Sequence, residues 1–88
     1  TGLQNKLLDA MAMRIPCITS ALANNAIGAA PGDEVLIGET PEDYARLAIR
    51  LLNDAQERER IAANGYAFVR ERFDWERSAA EMERLIVG

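Results

Sequence analysis

The chain has 88 residues, 49% of them hydrophobic and 27% charged, with a net charge of −4 and no histidine. That length allows one domain at most, burying about 60–65% of the surface the unfolded chain exposes, and the composition points away from disorder and from a membrane span. The acidic balance without a basic run argues against a nucleic-acid partner, and the lack of histidine leaves zinc-type and Ser-His catalysis without their usual participants. A cytoplasmic chain is expected, at most membrane-peripheral as part of a full-length protein, and no cofactor or metal is expected.

Residues 2–20, GLQNKLLDAMAMRIPCITS, predict a helix followed at once by a buried strand. Leu7, Leu8, Met11 and Ala12 recur at helical spacing, while Gly2, Asn5, Lys6 and Asp9 crowd the first turns on another face. The helix is expected from about residue 4 to Met13, with Thr1 or Asn5 as cap. Its opening is a candidate anion site, because the first N–H groups of a helix lack internal partners and sit at the positive end of its dipole. The plain alternative is a solvated helix start. Pro16 bars continuation, and Ile15 to Thr19 then predict a short, fully buried strand of a parallel sheet. Cys17, single and in an apolar strand, is expected to be a packed thiol and not a nucleophile or ligand.

Residues 20–33, SALANNAIGAAPGD, predict a long loop with about one helical turn. Loops leaving the carboxyl ends of strands line the ligand crevice of an open α/β sheet, which makes Thr19, Ser20, Asn24 and Asn25 candidates for ligand contact. Glu34 to Ile37 predict a second strand. Thr40-Pro41-Glu42-Asp43 is a helix start, with a capping hydroxyl, a proline at the first position and two carboxylates against the dipole. Tyr44, Leu47, Ala48, Leu51 and Leu52 form the core-facing stripe of that helix. Asn53 or Asp54 caps a third long helix over about 55–72, with Ile61, Gly65, Phe68, Val69 and Arg72 on one side. Gly65 in mid-helix costs about 1 kcal/mol against alanine and marks close packing or a bend. Glu57-Arg58-Glu59-Arg60 reads as a solvated face. Phe73-Asp74-Trp75 is expected to close that helix and open a last one, with Asp74 as cap and Trp75, Ala79, Met82 and Ile86 inward.

Three segments in order, GLQNKLLDAMAMRIPCITS, GDEVLIGETPEDYARLAIRLLND and RERFDWERSAAEMERLI, cover nearly the whole chain and resemble the C-terminal portion of retaining glycosyltransferases with two Rossmann-type domains (GT-B), nearest to the family 4 sugar transferases. The resemblance implies an α/β fold: the C-terminal half of a Rossmann-like parallel-sheet domain, with about two strands and four helices over residues 1–88. It implies a contribution to the site of a nucleotide-sugar donor, with transfer to an acceptor whose nature the residues do not reveal. Backbone amides around Gly2, Leu3, Gln4 and Asn5 would face the diphosphate, Lys6 would add charge, and Asp9 would accept hydrogen bonds from ribose hydroxyls. No residue of the chain is assigned a catalytic role.

Two positions depart from the family pattern. Its two glutamates, separated by seven residues, are replaced by Thr1, which supplies no carboxylate, and by Asp9, shorter by one C–C bond of about 1.5 Å. Arg14 stands where the pattern has glycine, at a helix end where a left-handed residue is common. Two other readings stay open: a non-catalytic structural or interaction module of the same fold, and a nucleotide-sugar epimerase. The chain begins at Thr1 in mid βα connection, so a missing N-terminal domain is expected. Self-association of the 88-residue piece through uncovered edges is expected as well.

Overall fold

The computed structural model describes the backbone of residues 2–87 and the side-chain surroundings of residues 5–83. Thr1 as helix cap and Ile86 as an inward residue therefore lie outside the described residues. The elements run α1 (Gly2–Ala12), β1 (Ile18–Thr19), α2 (Ala21–Ile27), β2 (Leu36–Ile37), α3 (Pro41–Asn53) and α4 (Ala55–Val87). β1 and β2 pair in parallel, Ile18 opposite Leu36 and Thr19 opposite Ile37, with α2 in the crossover between them. The architecture is α/β, with four helices around a small parallel sheet.

Alternation along the strands sorts the core into two layers. Cys17, Val35 and Ile37 point to one face, where Met11, Leu7 and Leu8 of α1, Ile27 of α2 and Phe68 and Val69 of α4 meet them. Ile18 and Leu36 point to the other, against Leu47 and Leu51 of α3 and Ile61 of α4. The period-two geometry of a strand produces this split. Because α4 supplies Ile61 to one layer and Phe68 to the other, it clamps both. The strands are shorter than the apolar runs that predicted them, and β1 is half-buried, not fully buried.

Local signals account for most element ends. The Thr40 hydroxyl accepts from the Asp43 N–H and the Asp43 carboxylate accepts from the Thr40 N–H, a reciprocal cap with Pro41 at the first position. Leu47 and Leu51 are buried as their spacing predicts, whereas Leu52 is 74% exposed and Tyr44 stands at the surface, so the buried stripe is narrower than the sequence pattern. At the end of α1 the Ile15 N–H reaches the Ala10 carbonyl and the Arg14 N–H the Met11 carbonyl, with Arg14 left-handed at φ 61°. This is a Schellman closure without glycine, costing about 1–2 kcal/mol. The Arg14 guanidinium lies over the Tyr66 ring, 4.7 Å from its centre, and a cation–π contact of about 0.5–1 kcal/mol offsets part of that cost. Gly65 is the close-packing glycine its position predicts: an added Cβ would meet the Glu34 carbonyl at 3.1 Å and the Met11 methyl at 3.3 Å.

Several expectations are corrected. Residues 20–33 hold a true helix, α2, because Ser20 caps it and Gly28, left-handed at φ 82°, closes it. The break at Phe73-Asp74-Trp75 does not occur: α4 is continuous over 33 residues, about 50 Å at 1.5 Å per residue, and sets the 52 Å length of the molecule. An unbroken helix keeps every backbone hydrogen bond, and no packed surface turns the chain back. Trp75, expected inward, is 74% exposed, and Ala79 and Met82 are exposed with it. Glu57 to Arg60 do more than face solvent. Arg60 binds Asp33 at 2.9 Å and the Gly32 carbonyl at 2.8 Å, Arg58 donates to the Leu51 carbonyl at 2.9 Å, and Arg50 pairs with Glu57 at 2.6 Å. Among the described residues no helix is long and apolar enough to cross a membrane.

Candidate functional site

The candidate site is built on the opening of α1. The helix begins at Gly2, so the amides of its first turn, through Asn5, have no intrahelical acceptor. Its first turn contains no acidic residue. The other three helices have carboxylates at their starts: Asp43 and Glu42 in α3, Asp54 and Glu57 in α4, and for α2 the Glu39 carboxylate, which accepts from the Ala21 N–H at 2.8 Å. Those three openings are electrostatically satisfied by the chain's own acids.

One turn further along, Asn5 and Asp9 fall on the same side of α1 by their four-residue spacing. With Leu8 and Ala12 they form one wall of a groove whose other wall is Val69, Arg72, Phe73 and Glu76 of α4. Lys6 is exposed and does not line this groove. The structure thus brings Asn5 and Asp9 together and sets Lys6 apart, while the side chains of Gly2, Leu3 and Gln4 lie outside the described surroundings. Arg72 and Glu76 complete the groove and were not read as site residues. Their signal was present as an Arg/Glu pair four apart, but only the packing of α4 on α1 puts it opposite Asp9. Arg72 donates to the Ile27 carbonyl at 2.8 Å and lies 3.4 Å from Glu76, which holds its guanidinium at the end of α2.

The loop candidates have structural duties. The Ser20 hydroxyl accepts from the Ala23 N–H. Asn24 is buried, donating from Nδ2 to the Ala29 carbonyl at 2.8 Å and accepting at Oδ1 from the Ala29 N–H at 3.2 Å, so both ends of its amide are used. Asn25 is exposed and Thr19 half-buried at the carboxyl end of β1. Glu39, which drew no attention in the sequence, bridges the two strand ends by way of Ala21. Cys17 is buried, its Sγ donates to the Ile15 carbonyl at 3.2 Å, and burial pushes the thiol pKa up, the opposite of what a nucleophile needs. Among the described residues no three His, Cys, Asp or Glu side chains cluster as metal ligands do.

A family model described as "Glycosyl transferase-like" matches residues 1–84. The curated protein "Glycosyltransferase 1 domain-containing protein 1" of Xenopus tropicalis is 24% identical over 87 residues, which cover 99% of this chain and 25% of that protein. The chain therefore spans about a quarter of the length of that relative. No solved structure gives a significant match. With the helix, the strand and the loop order all inside a match that runs almost end to end, the chain belongs to the glycosyl transferase-like family.

Proposed function

We propose that the chain forms part of the nucleotide-sugar donor site of a longer glycosyltransferase, as the C-terminal piece of a GT-B-type Rossmann-like domain. The observation that carries this reading is the opening of α1, whose first turn holds no acid while the other three helix starts receive a carboxylate from the chain itself. A donor diphosphate would accept from the amides between Gly2 and Asn5 and lie at the positive end of the helix, with Lys6 as a nearby charge. Charge builds on the departing diphosphate as the glycosidic bond breaks, and fixed N–H donors stabilise that charge without reorganising. Asp9, in the second turn, would accept from the ribose hydroxyls of the same nucleotide. The acceptor and the remaining donor contacts would come from the rest of the protein.

A second reading has its own observation. Asp9 faces a groove that also holds Arg72, and its charge then serves the packing of α1 against α4 in a non-catalytic module. Calorimetric titration of the full-length protein with uridine and guanosine diphosphates separates the two. On the donor reading Asp9→Ala weakens binding by about 1.5–3 kcal/mol, the contribution of a charged hydrogen bond, Asp9→Asn loses part of that, and Asp9→Glu is tolerated. Unchanged affinity in Asp9→Ala, with only the melting temperature moved, removes Asp9 from the site.

A further inference from the structure

The described ion pairs take up Arg46, Arg50, Arg60 and Arg72, and Arg58 is spent on the carbonyls at the end of α3. The other described arginines, Arg14, Arg70 and Arg77, gather where the end of α1 meets the middle of α4. The guanidinium carbons of Arg14 and Arg70 lie 4.7 and 5.7 Å from the centre of one ring, that of Tyr66. Arg70 and Arg77 line a shallow groove beside it with Ala12, Val69, Phe73 and Asp74. Asp74 is the acid of this groove and forms an ion pair with neither arginine, so the face keeps an excess of positive charge on a chain of net charge −4. Large apolar side chains stand among these charges: Met13, 72% exposed, and Ile15 flank Arg14 in the turn, and Phe73 is 61% exposed in the groove. The Schellman closure fixes the backbone of that turn, so the apolar side chains are presented by an ordered loop.

We propose that this face docks on an anionic lipid bilayer. Guanidiniums bind headgroup phosphates through a planar fork of donors, and Met13, Ile15 and Phe73 enter the boundary between headgroups and acyl chains. A soluble anion would use the arginines and leave the apolar side chains in water, whereas a bilayer takes both over one face. The patch is at the C-terminal end of α1, about 16 Å along an 11-residue helix from its opening, so docking leaves that opening free. Ala12, Val69 and Phe73 also line the groove that Asp9 faces, so the patch borders that groove, while Arg14, Arg70, Arg77, Met13 and Ile15 stand outside it.

The test is sedimentation of the full-length protein with phosphatidylcholine vesicles, with and without one third phosphatidylglycerol. Partitioning to the anionic vesicles is expected, falling steeply as salt shortens the Debye length from about 10 Å at 0.1 M to about 3 Å at 1 M. Each arginine at an anionic surface is expected to contribute about fivefold in partitioning, so R70Q/R77Q loses about 30-fold while the control R46Q/R50Q, with the same charge change on α3, stays within about twofold of the parent. M13Q, with no charge change, weakens partitioning as well. Equal losses in the two double variants, equal binding to neutral and anionic vesicles at low salt, or full displacement by inorganic phosphate would each overturn the proposal. The lipid and salt comparisons use the unaltered protein and decide the matter even where a variant fails to fold.

Discussion

Asn24→Asp is the sharpest probe of the turn that closes α2. Asn24 is 6% exposed and spends both halves of its amide on Ala29, itself 3% exposed. Asn24→Asp keeps the acceptor for the Ala29 N–H but turns an oxygen toward the Ala29 carbonyl, where the amide donated at 2.8 Å. The repulsion and the burial both disfavour the carboxylate, so the folded-state pKa of the new acid is raised above its unfolded value of about 3.9. An acid of raised pKa stabilises the fold below the unfolded pKa and loses that contribution as pH rises toward the folded one. Protonating a carboxyl of pKa about 3.9 at pH 7 costs about 4 kcal/mol at 1.36 kcal/mol per unit, and this caps the destabilisation because the protonated acid can donate to the Ala29 carbonyl again. Urea unfolding followed by circular dichroism is therefore expected to show Asn24→Asp close to the parent near pH 4. The gap should widen by about 1.4 kcal/mol per pH unit until the folded pKa is passed. Asn24→Ala, which leaves two buried backbone groups unpaired, should lose about 2–4 kcal/mol at every pH. An Asn24→Asp gap that is absent at pH 7, or the same at pH 4 and pH 7, refutes the reasoning and returns Asn24 to the ligand candidates.

At Gly65 the space left by the missing Cβ is already occupied by the Glu34 carbonyl and the Met11 methyl, and Gly65→Val should lower stability by about 1–3 kcal/mol through overpacking, measurable by the same denaturation. The Asp43 carboxyl pKa is held below the usual range, first by the Glu39 and Thr40 N–H groups and then by Arg46. A lowered pKa stabilises the fold above the unfolded value and the contribution disappears as pH falls through the folded value, so the melting-temperature gap between the parent and Asp43→Asn should be open at pH 7 and close in strong acid. The 88-residue chain by itself should transfer no sugar in a donor hydrolysis and transfer assay, since positioning two substrates needs a closed cleft, and it should self-associate in sedimentation through its sheet edges and the bare face of α4. Sugar transfer or a strict monomer at high concentration counts against those two expectations respectively.

What the sequence by itself determined is what neighbouring residues decide among themselves. The Thr40-Pro41-Glu42-Asp43 cap, the start of α4 at Asn53 or Asp54, the end of α1 before Pro16, the parallel pair of short apolar strands and the burial of Cys17 were legible, and Gly65 was narrowed to close packing or a bend. Caps and proline stops act over three or four residues, and alternation needs only a face to be buried, so these signals survive without knowledge of the whole fold. The Gly2 to Asp9 stretch was likewise legible as a polar helix opening, although its partner wall was not. The tertiary structure decided whatever depended on which surfaces meet. Asp74 has the chemistry of a cap, yet α4 runs through it because no second surface rewards a turn, and Trp75 is left in water. Asn24 reads as a loop polar residue until the left-handed Gly28 swings Ala29 back beneath it. Arg72 and Glu76 face Asp9 only because the long helix that clamps both layers of the core lies across α1, a contact between residues more than sixty positions apart.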